Sequence, residues 1–571
     1  MKKHRLVFRS LVLSLALLSS QLSLLADNSK ISPDLLPLVA NGDQQVKVIV
    51  QYAPCSGLLN CVAGGLLNII SGVVHTVFSS ISAESVTMRA GDLAALSQNS
   101  NVSYISPDRP VGAMLDYSAA AVNAPAAWNT GLDGTAIGIA IVDSGIYPHA
   151  DLGSATGPQS RIVYRQSFID GVSPDDYGHG THVAGIAAGN GASSAGSARL
   201  FRGIAPNANL LDLRVLDQNG MSSDSAIIAA IDTAVQLKNQ YNIRVINLSV
   251  GRPIYESCSH DPLCQAVEAA WKNGIVVVVA AGNYGRNGYA TVLCPGNAPH
   301  AITVGAMKAM NTYTRTDDLI ASYSSKGPTY IDLTVKPDLV APGNMVTSLL
   351  APGSTLSSAY PANIVSSGSG TPQYFMLSGT SMATPVVSGA AALLIQQNPS
   401  LTPDLVKARL MKTAYKTLPL TSTAVDPTTN TAYSSTYDIF TVGAGYLDIA
   451  AALGNQDQGR GAALSPSVYY SQLLSTALLL NPVASIWNNT TWSLNNVWGT
   501  QVVQPINGSS AAWGTSAAWG TSAAWGSSAA WGTSAAWGTS AAWGTSAAWG
   551  TSAAWGTSAA WGSSVPGRGE N

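Results

Sequence analysis

Hydrophobic and polar positions change rhythm several times along the 571 residues, and each change predicts a different kind of structure. Val46-Lys47-Val48-Ile49-Val50, Ser85-Val86-Thr87-Met88-Arg89 and Val102-Ser103-Tyr104-Ile105 read as strands, with a helical stretch over Asp92–Leu96. They predict a small α+β unit within 27–115. From 116 to 453 the pattern becomes short β-branched runs separated by helical spacing. Ile137–Val142, Leu210–Leu216, Val245–Leu248 and Ile275–Val279 are mostly apolar, as strands buried on both faces are. Asp224–Leu237 and Asp261–Lys272 read as helices, the second ending at Gly274, a residue suited to a left-handed cap. Thr402-Pro403-Asp404 supplies a capping side chain, a first-turn proline and an acid at the positive end of a further helix. Strands alternating with helices predict an α/β domain, doubly wound around a mainly parallel sheet with helices on both faces.

The two ends have other textures. Lys2-Lys3-His4-Arg5, the apolar stretch Leu11–Leu18 and a small residue near Ala26 read as a signal peptide over 1–26, which predicts an exported protein. That apolar stretch is shorter than the ~20 residues a membrane-spanning helix needs. Residues 454–509, rich in Ser, Asn and Thr, read as a linker. Over 510–571 a six-residue repeat, Ala-Ala-Trp-Gly-Thr/Ser-Ser, places Trp at every sixth position from 513 to 561, and Trp498 resembles a degenerate forerunner. An even period puts every Trp on one face of an extended strand. The repeat is therefore either a low-complexity tail or a surface for cell-surface or glycan contact.

Composition narrows the partners. Only 10% of residues are charged, against roughly 25% in an average soluble chain, so part of this chain is no ordinary core. The net charge of -2 lacks the basic excess of nucleic-acid binders and excludes that class. Among five cysteines, Cys55–Cys61 and Cys258–Cys264 are close pairs that an oxidising compartment would bridge, leaving Cys294 odd. Cys264 reads equally well as a buried helical thiol.

Three segments carry candidate chemistry. Ile141-Val142-Asp143-Ser144-Gly145 puts a carboxylate directly after a buried strand. Gly178-His179-Gly180-Thr181-His182 places one imidazole between glycines that allow close backbone approach, with His182 as a structural neighbour. The two histidines lack the third ligand of a zinc site, so no metal is assigned. Ser378-Gly379-Thr380-Ser381-Met382-Ala383 precedes an apolar helix, Val386–Ile395, and sets a hydroxyl near unpaired helix N–H groups. With Ala383 two residues on, it is not the Gly-x-Ser-x-Gly elbow of esterases.

Taken in order, these blocks resemble the catalytic blocks of the subtilisin-like serine protease (subtilase) family, whose order Asp, His, Ser they share. Val279-Ala280-Ala281-Gly282-Asn283 resembles its oxyanion segment, and Val245–Gly251 its substrate-binding strand. The resemblance spans 116–453 and implies a serine endopeptidase acting on protein or peptide substrates. Asp143, His179 and Ser381 would be the triad and Asn283 the oxyanion donor. Ser249, Gly251, Gly282 and Leu293 would bind substrate. Leu293 stands where the family often has Gly, which implies a shallow pocket for small or medium apolar side chains. Val386 stands where a His is frequent, a change of packing. Residues 46–108 resemble the family's inhibitory propeptide, an intramolecular inhibitor removed by self-cleavage between about 108 and 120. The family often holds structural calcium, yet Gly189–Arg199, which resembles a calcium loop, lacks carboxylates. No cofactor is implied. An adhesive protein with a vestigial catalytic domain is the rival reading, and intact catalytic positions weigh against it.

Overall fold

The computed structural model describes residues 27–53, 72–108 and 114–499, apart from positions 34, 40–41, 79–81, 116, 155–156, 172–173, 198, 367–370, 427–428 and 472–475. The signal peptide, the Cys55–Cys61 pair and the Trp repeat lie outside the described residues. The chain divides into two compact units between Gly112 and Ala113.

In the first unit, β1 (Gln45–Tyr52), β2 (Val73–Phe78), β3 (Ala83–Arg89) and β4 (Val102–Pro107) form an antiparallel sheet in the order β2-β3-β1-β4. Val46, Val48, Val50 and Tyr52 alternate inward with period two and meet Val86, Met88 and Ile105. Helix α1 (Asp92–Ser97) closes this core with Leu93 and Leu96. Strand β2 escapes the sequence pattern for a physical reason. Val73, Val74 and Val77 at the sheet edge are all exposed, so no alternation marks them.

The second unit is built on an eight-stranded sheet. Its members are β5 (Gly138–Asp143), β6 (Ile162–Ser167), β7 (Asn209–Arg214), β8 (Ile243–Leu248), β9 (Val276–Ala280), β10 (Ile302–Lys308), β11 (Leu319–Ile320) and β12 (Leu339–Pro342). The order is β11-β10-β9-β8-β5-β7-β6, with β12 also on β10, and every pair is parallel except β10 with β11. All six residues of β5 and all five of β9 are buried, so both faces are covered. Helices α2 (His179–Ala188) and α5 (Thr380–Gln397) pack together as one pair, and α3 (Asp224–Gln236) and α4 (Pro262–Lys272) as another. Asp261 caps α4 through the N–H groups of Leu263 and Cys264, and Gly274 beyond its end has φ +78°. Helix α6 (Pro403–Thr413) is capped by Thr402. Cys258 and Cys264 are disulfide-bonded and Cys294 is a buried free thiol, which settles that alternative.

One reading needs correction. The described residues of 454–499, which composition marks as the first part of a linker, include packed structure. Trp487, Trp492 and Trp498 are buried in the main core, and the Trp487 and Trp492 indole N–H groups donate to the carbonyls of Leu464 and Gln458. Buried tryptophans with satisfied N–H groups anchor a segment that composition alone marks as loose. Ser465 in the same stretch donates to Asp338 and accepts from Lys407 (2.8 Å). Asp338 also takes Lys336 at 2.7 Å and Lys407 at 3.0 Å, all three side chains being fully buried. Trp498 therefore belongs to this layer.

Candidate active site

The chemistry-bearing residues converge at the carboxyl ends of the central parallel strands, where open α/β sheets present their reactive groups. Asp143 ends β5 and His179 opens α2. Gly251 follows β8, Asn283 follows β9, and Ser381 is the second residue of α5. Close approach explains the glycine beside His179. A Cβ at Gly180 would stand 2.2 Å from the Gly145 carbonyl and 3.1 Å from the Asp143 Cβ, so a larger residue would push the imidazole from the carboxylate.

Asp143 Oδ1 accepts from His179 Nδ1 at 2.7 Å and from the Ser144 N–H at 2.8 Å. A carboxylate partner assigns the proton to Nδ1, which leaves Nε2 with its lone pair. That Nε2 is buried and has no hydrogen-bond partner among the described residues. Burial acts to lower the His179 pKa, but the charges of Asp143 and Asp175 outweigh it, so the imidazole is held above its ordinary value. His182 is a different case. Burial and the neighbouring His179 depress it to about 3, and its Nε2 faces the carbonyls of Val346 (3.1 Å) and Phe375 (2.9 Å), a structural role.

Ser381 Oγ lies 3.3 Å from the Ser249 carbonyl, to which it donates. The hydroxyl thus rests on the segment after β8 and not on His179, and a χ1 rotation between staggered wells re-aims it. As a first-turn residue of α5, Ser381 has an N–H with no intrahelical acceptor. Asn283 Oδ1 accepts from the Thr380 N–H (2.9 Å) and hydroxyl (3.1 Å), which turns the amide NH₂ to the opposite side.

Gly251, Gly282 and Leu293 come together. A Cβ at Gly282 would lie 2.7 Å from Leu293 Cγ, and one at Gly251 would lie 3.2 Å from Leu293 Cβ. The isobutyl group of Leu293 therefore fills the space beside both glycines. The Leu293 N–H donates to the Ala281 carbonyl at 3.0 Å, fixing it there.

Sequence reasoning missed a second layer of polar residues. Asp175, fully buried, accepts from Ser144 Oγ (2.8 Å) and from the N–H groups of Gly178 (2.7 Å) and Thr181 (2.9 Å). Ser144 Oγ in turn accepts from the Gly180 N–H at 2.8 Å, joining the Asp143 turn to the His179 helix. Ser249 Oγ donates to the Ser381 carbonyl (2.9 Å) and accepts from Asn247, which accepts from Ser388. Their only sequence signal is position: Asp175 four residues before His179, and Asn247 inside an apolar strand.

Among the described residues no cluster of His, Cys, Asp and Glu could hold a metal ion. The Asp151 carboxylate near Gly189–Arg199 is occupied by the Ser193 N–H (2.7 Å) and the Tyr374 hydroxyl (2.7 Å).

An imidazole oriented by a carboxylate and a serine at a helix N-terminus are the groups that serine hydrolases use. Residues 134–445 match the model of the subtilase family, Peptidase S8. Serine protease AprX of Bacillus subtilis (strain 168) is 42% identical over 328 residues, covering 55% of this chain and 70% of that protein. An alkaline protease of Alkalihalobacillus alcalophilus is 36% identical over 343 residues (59% and 75%), and subtilisin E of Bacillus subtilis (strain 168) 34% over 349 (60% and 78%). The chain belongs to the subtilase family and is a subtilisin-type serine protease.

Proposed function

We propose that this protease hydrolyses peptide bonds through Ser381, His179 and Asp143, with Asn283 binding the oxyanion. Ser381 Oγ attacks the scissile carbonyl while His179 Nε2 takes its proton. The carbonyl oxygen, now negative, receives hydrogen bonds from the Asn283 amide and the Ser381 N–H. His179 returns the proton to the leaving amine, and water repeats the sequence on the acyl-enzyme. Asp143 holds the ring in its tautomer and stabilises the imidazolium. The observation that carries this reading is the 2.7 Å bond from His179 Nδ1 to Asp143 with Nε2 left unpartnered.

Extended peptide lies along Ser249–Gly251. Leu293 closes the pocket between Gly251 and Gly282, so the residue before the cleaved bond is small or medium and apolar. The first unit serves as an inhibitory propeptide cut between about 108 and 120, residues 1–26 direct export, and the Trp repeat contacts cell-surface or glycan material. No helix among the described residues is long and apolar enough to cross a membrane, in keeping with an extracellular enzyme. Structural calcium is not part of this reading at Gly189–Arg199. Expression of the full chain beside Ser381→Ala, with intact mass and casein hydrolysis, tests it. Wild type should lose its residues up to about 115 and digest casein while Ser381→Ala does neither; an active, self-trimming Ser381→Ala would end the proposal.

A further inference from the structure

Gly251 is followed by a charged residue that the reaction does not use. Arg252 pairs with Cys294 in both directions: its N–H donates to the Cys294 carbonyl and its carbonyl accepts the Cys294 N–H, each at 2.8 Å. This isolated antiparallel pair joins the residue after Gly251 to the residue after Leu293. The wall and the closing residue of the proposed pocket thus share one backbone clamp. The Ala281 bond to Leu293 completes it on the Gly282 side.

The Arg252 side chain anchors the clamp from outside. Its Nε donates to Asp224 Oδ1 and Oδ2 (2.9 and 3.0 Å), and Nη2 donates to Asp224 Oδ2 and Asp261 Oδ2 (2.8 Å each). Asp224 is the first residue of α3, and Asp261, fully buried, is the cap of α4. Asp261 also sits inside the short loop closed by the Cys258–Cys264 disulfide. A planar guanidinium meeting two carboxylates in a fork is geometrically strict, unlike a lysine point charge. The two acids stand at the starts of helices whose own positions are set by the sheet. Arg252 is therefore referenced to the rigid frame and passes that reference to Gly251 and Leu293.

We infer that Arg252 is a positioning residue that sets the Gly251–Leu293 spacing and thereby selects the side chain accepted before the scissile bond. The inference rests on the pocket reading above. With the fork removed, the clamp keeps its two backbone bonds but loses its anchor, and the pocket yields to larger side chains. Small substrates then lose grip while the triad, which Arg252 does not touch, is unchanged.

The test compares Arg252→Met, Arg252→Lys and Asp224→Asn with wild type on tetrapeptide p-nitroanilides that differ only in Ala or Phe before the cleaved bond. Competent sites are counted by titration with a serine-directed sulfonyl fluoride. For Arg252→Met, KM for the Ala substrate should rise and the Ala-to-Phe ratio of kcat/KM fall by roughly tenfold, with kcat per titrated site nearly constant. Arg252→Lys and Asp224→Asn should fall between, and decide the matter should Arg252→Met not fold. An Ala-to-Phe ratio unchanged in all folded variants, with only a lower melting temperature, would overturn the inference and leave Arg252 as a brace for α3 and α4. Loss of the pocket reading itself has a separate signature, a Leu293→Gly variant with wild-type selectivity.

Discussion

Replacing Leu293 with glycine is the most informative single change at the pocket. Its isobutyl group stands within 2.7 Å of where a Gly282 side chain would begin and 3.2 Å of the same point at Gly251. Removing it deletes four buried carbons and opens the slot between two residues that have no side chains of their own. An aromatic ring entering that slot recovers the burial. At ~0.8 kcal/mol per carbon this is roughly 3 kcal/mol, or up to about 100-fold in kcat/KM for Phe relative to Ala. Leu293→Ala, which retains one carbon, should give a smaller shift in the same direction. The same cavity costs the empty enzyme about 2–5 kcal/mol of stability, so rates are normalised to titrated sites and measured well below the melting temperature. The assay is the Ala and Phe pair of tetrapeptide anilides. A Leu293→Gly enzyme with unchanged preference, or a wild type that already cleaves best after Phe, would refute the reasoning.

Other consequences follow from the same geometry. Asn283→Ala should lower kcat by about 10²–10³ with little change in KM, since the lost donor acts on the transition state; an unaltered kcat, or a loss confined to KM, would contradict it. Activity needs neutral His179, whose pKa is held above 6.5, so the acid limb of kcat/KM should lie above that value. The stability contribution runs the other way: a raised histidine pKa stabilises the fold below about 6.5 and loses that effect as pH rises through the folded-state value. A pH-rate limb below 6.5 would count against the Asp143 and Asp175 charges as its cause. Asp338→Asn, made in the Ser381→Ala background to prevent autolysis, should cost about 3–5 kcal/mol in urea unfolding because Lys336 and Lys407 lose their shared carboxylate. A loss below ~1 kcal/mol would show that the carbonyls around the two lysines suffice.

The parts of the fold that were legible in the sequence are those where burial is two-sided or strictly alternating. The β8 and β9 runs announce themselves because both faces are covered, and Val46, Val48 and Val50 because every second side chain is. Helix α5 was read from Val386 onward, yet it begins at Thr380, since Gly-Thr-Ser carries no apolar period and is held by Asn283 and not by the core. Residues 454–499 were misread because three well-spaced tryptophans among polar residues do the packing that an apolar run does elsewhere. Asp175 and Arg252 were invisible for another reason. A carboxylate or guanidinium of this kind is functional only through its partners, and Ser144 and Asp224 lie 31 and 28 residues away from Asp175 and Arg252.

The central claim, that Ser381 is activated by His179, is tested most directly by covalent labelling. The enzyme is treated with a fluorophosphonate, digested, and the adduct located by peptide mass mapping. The account predicts one adduct per chain on Ser381 and its loss in His179→Ala. An adduct on another serine, or none on a preparation that still digests casein, would contradict it.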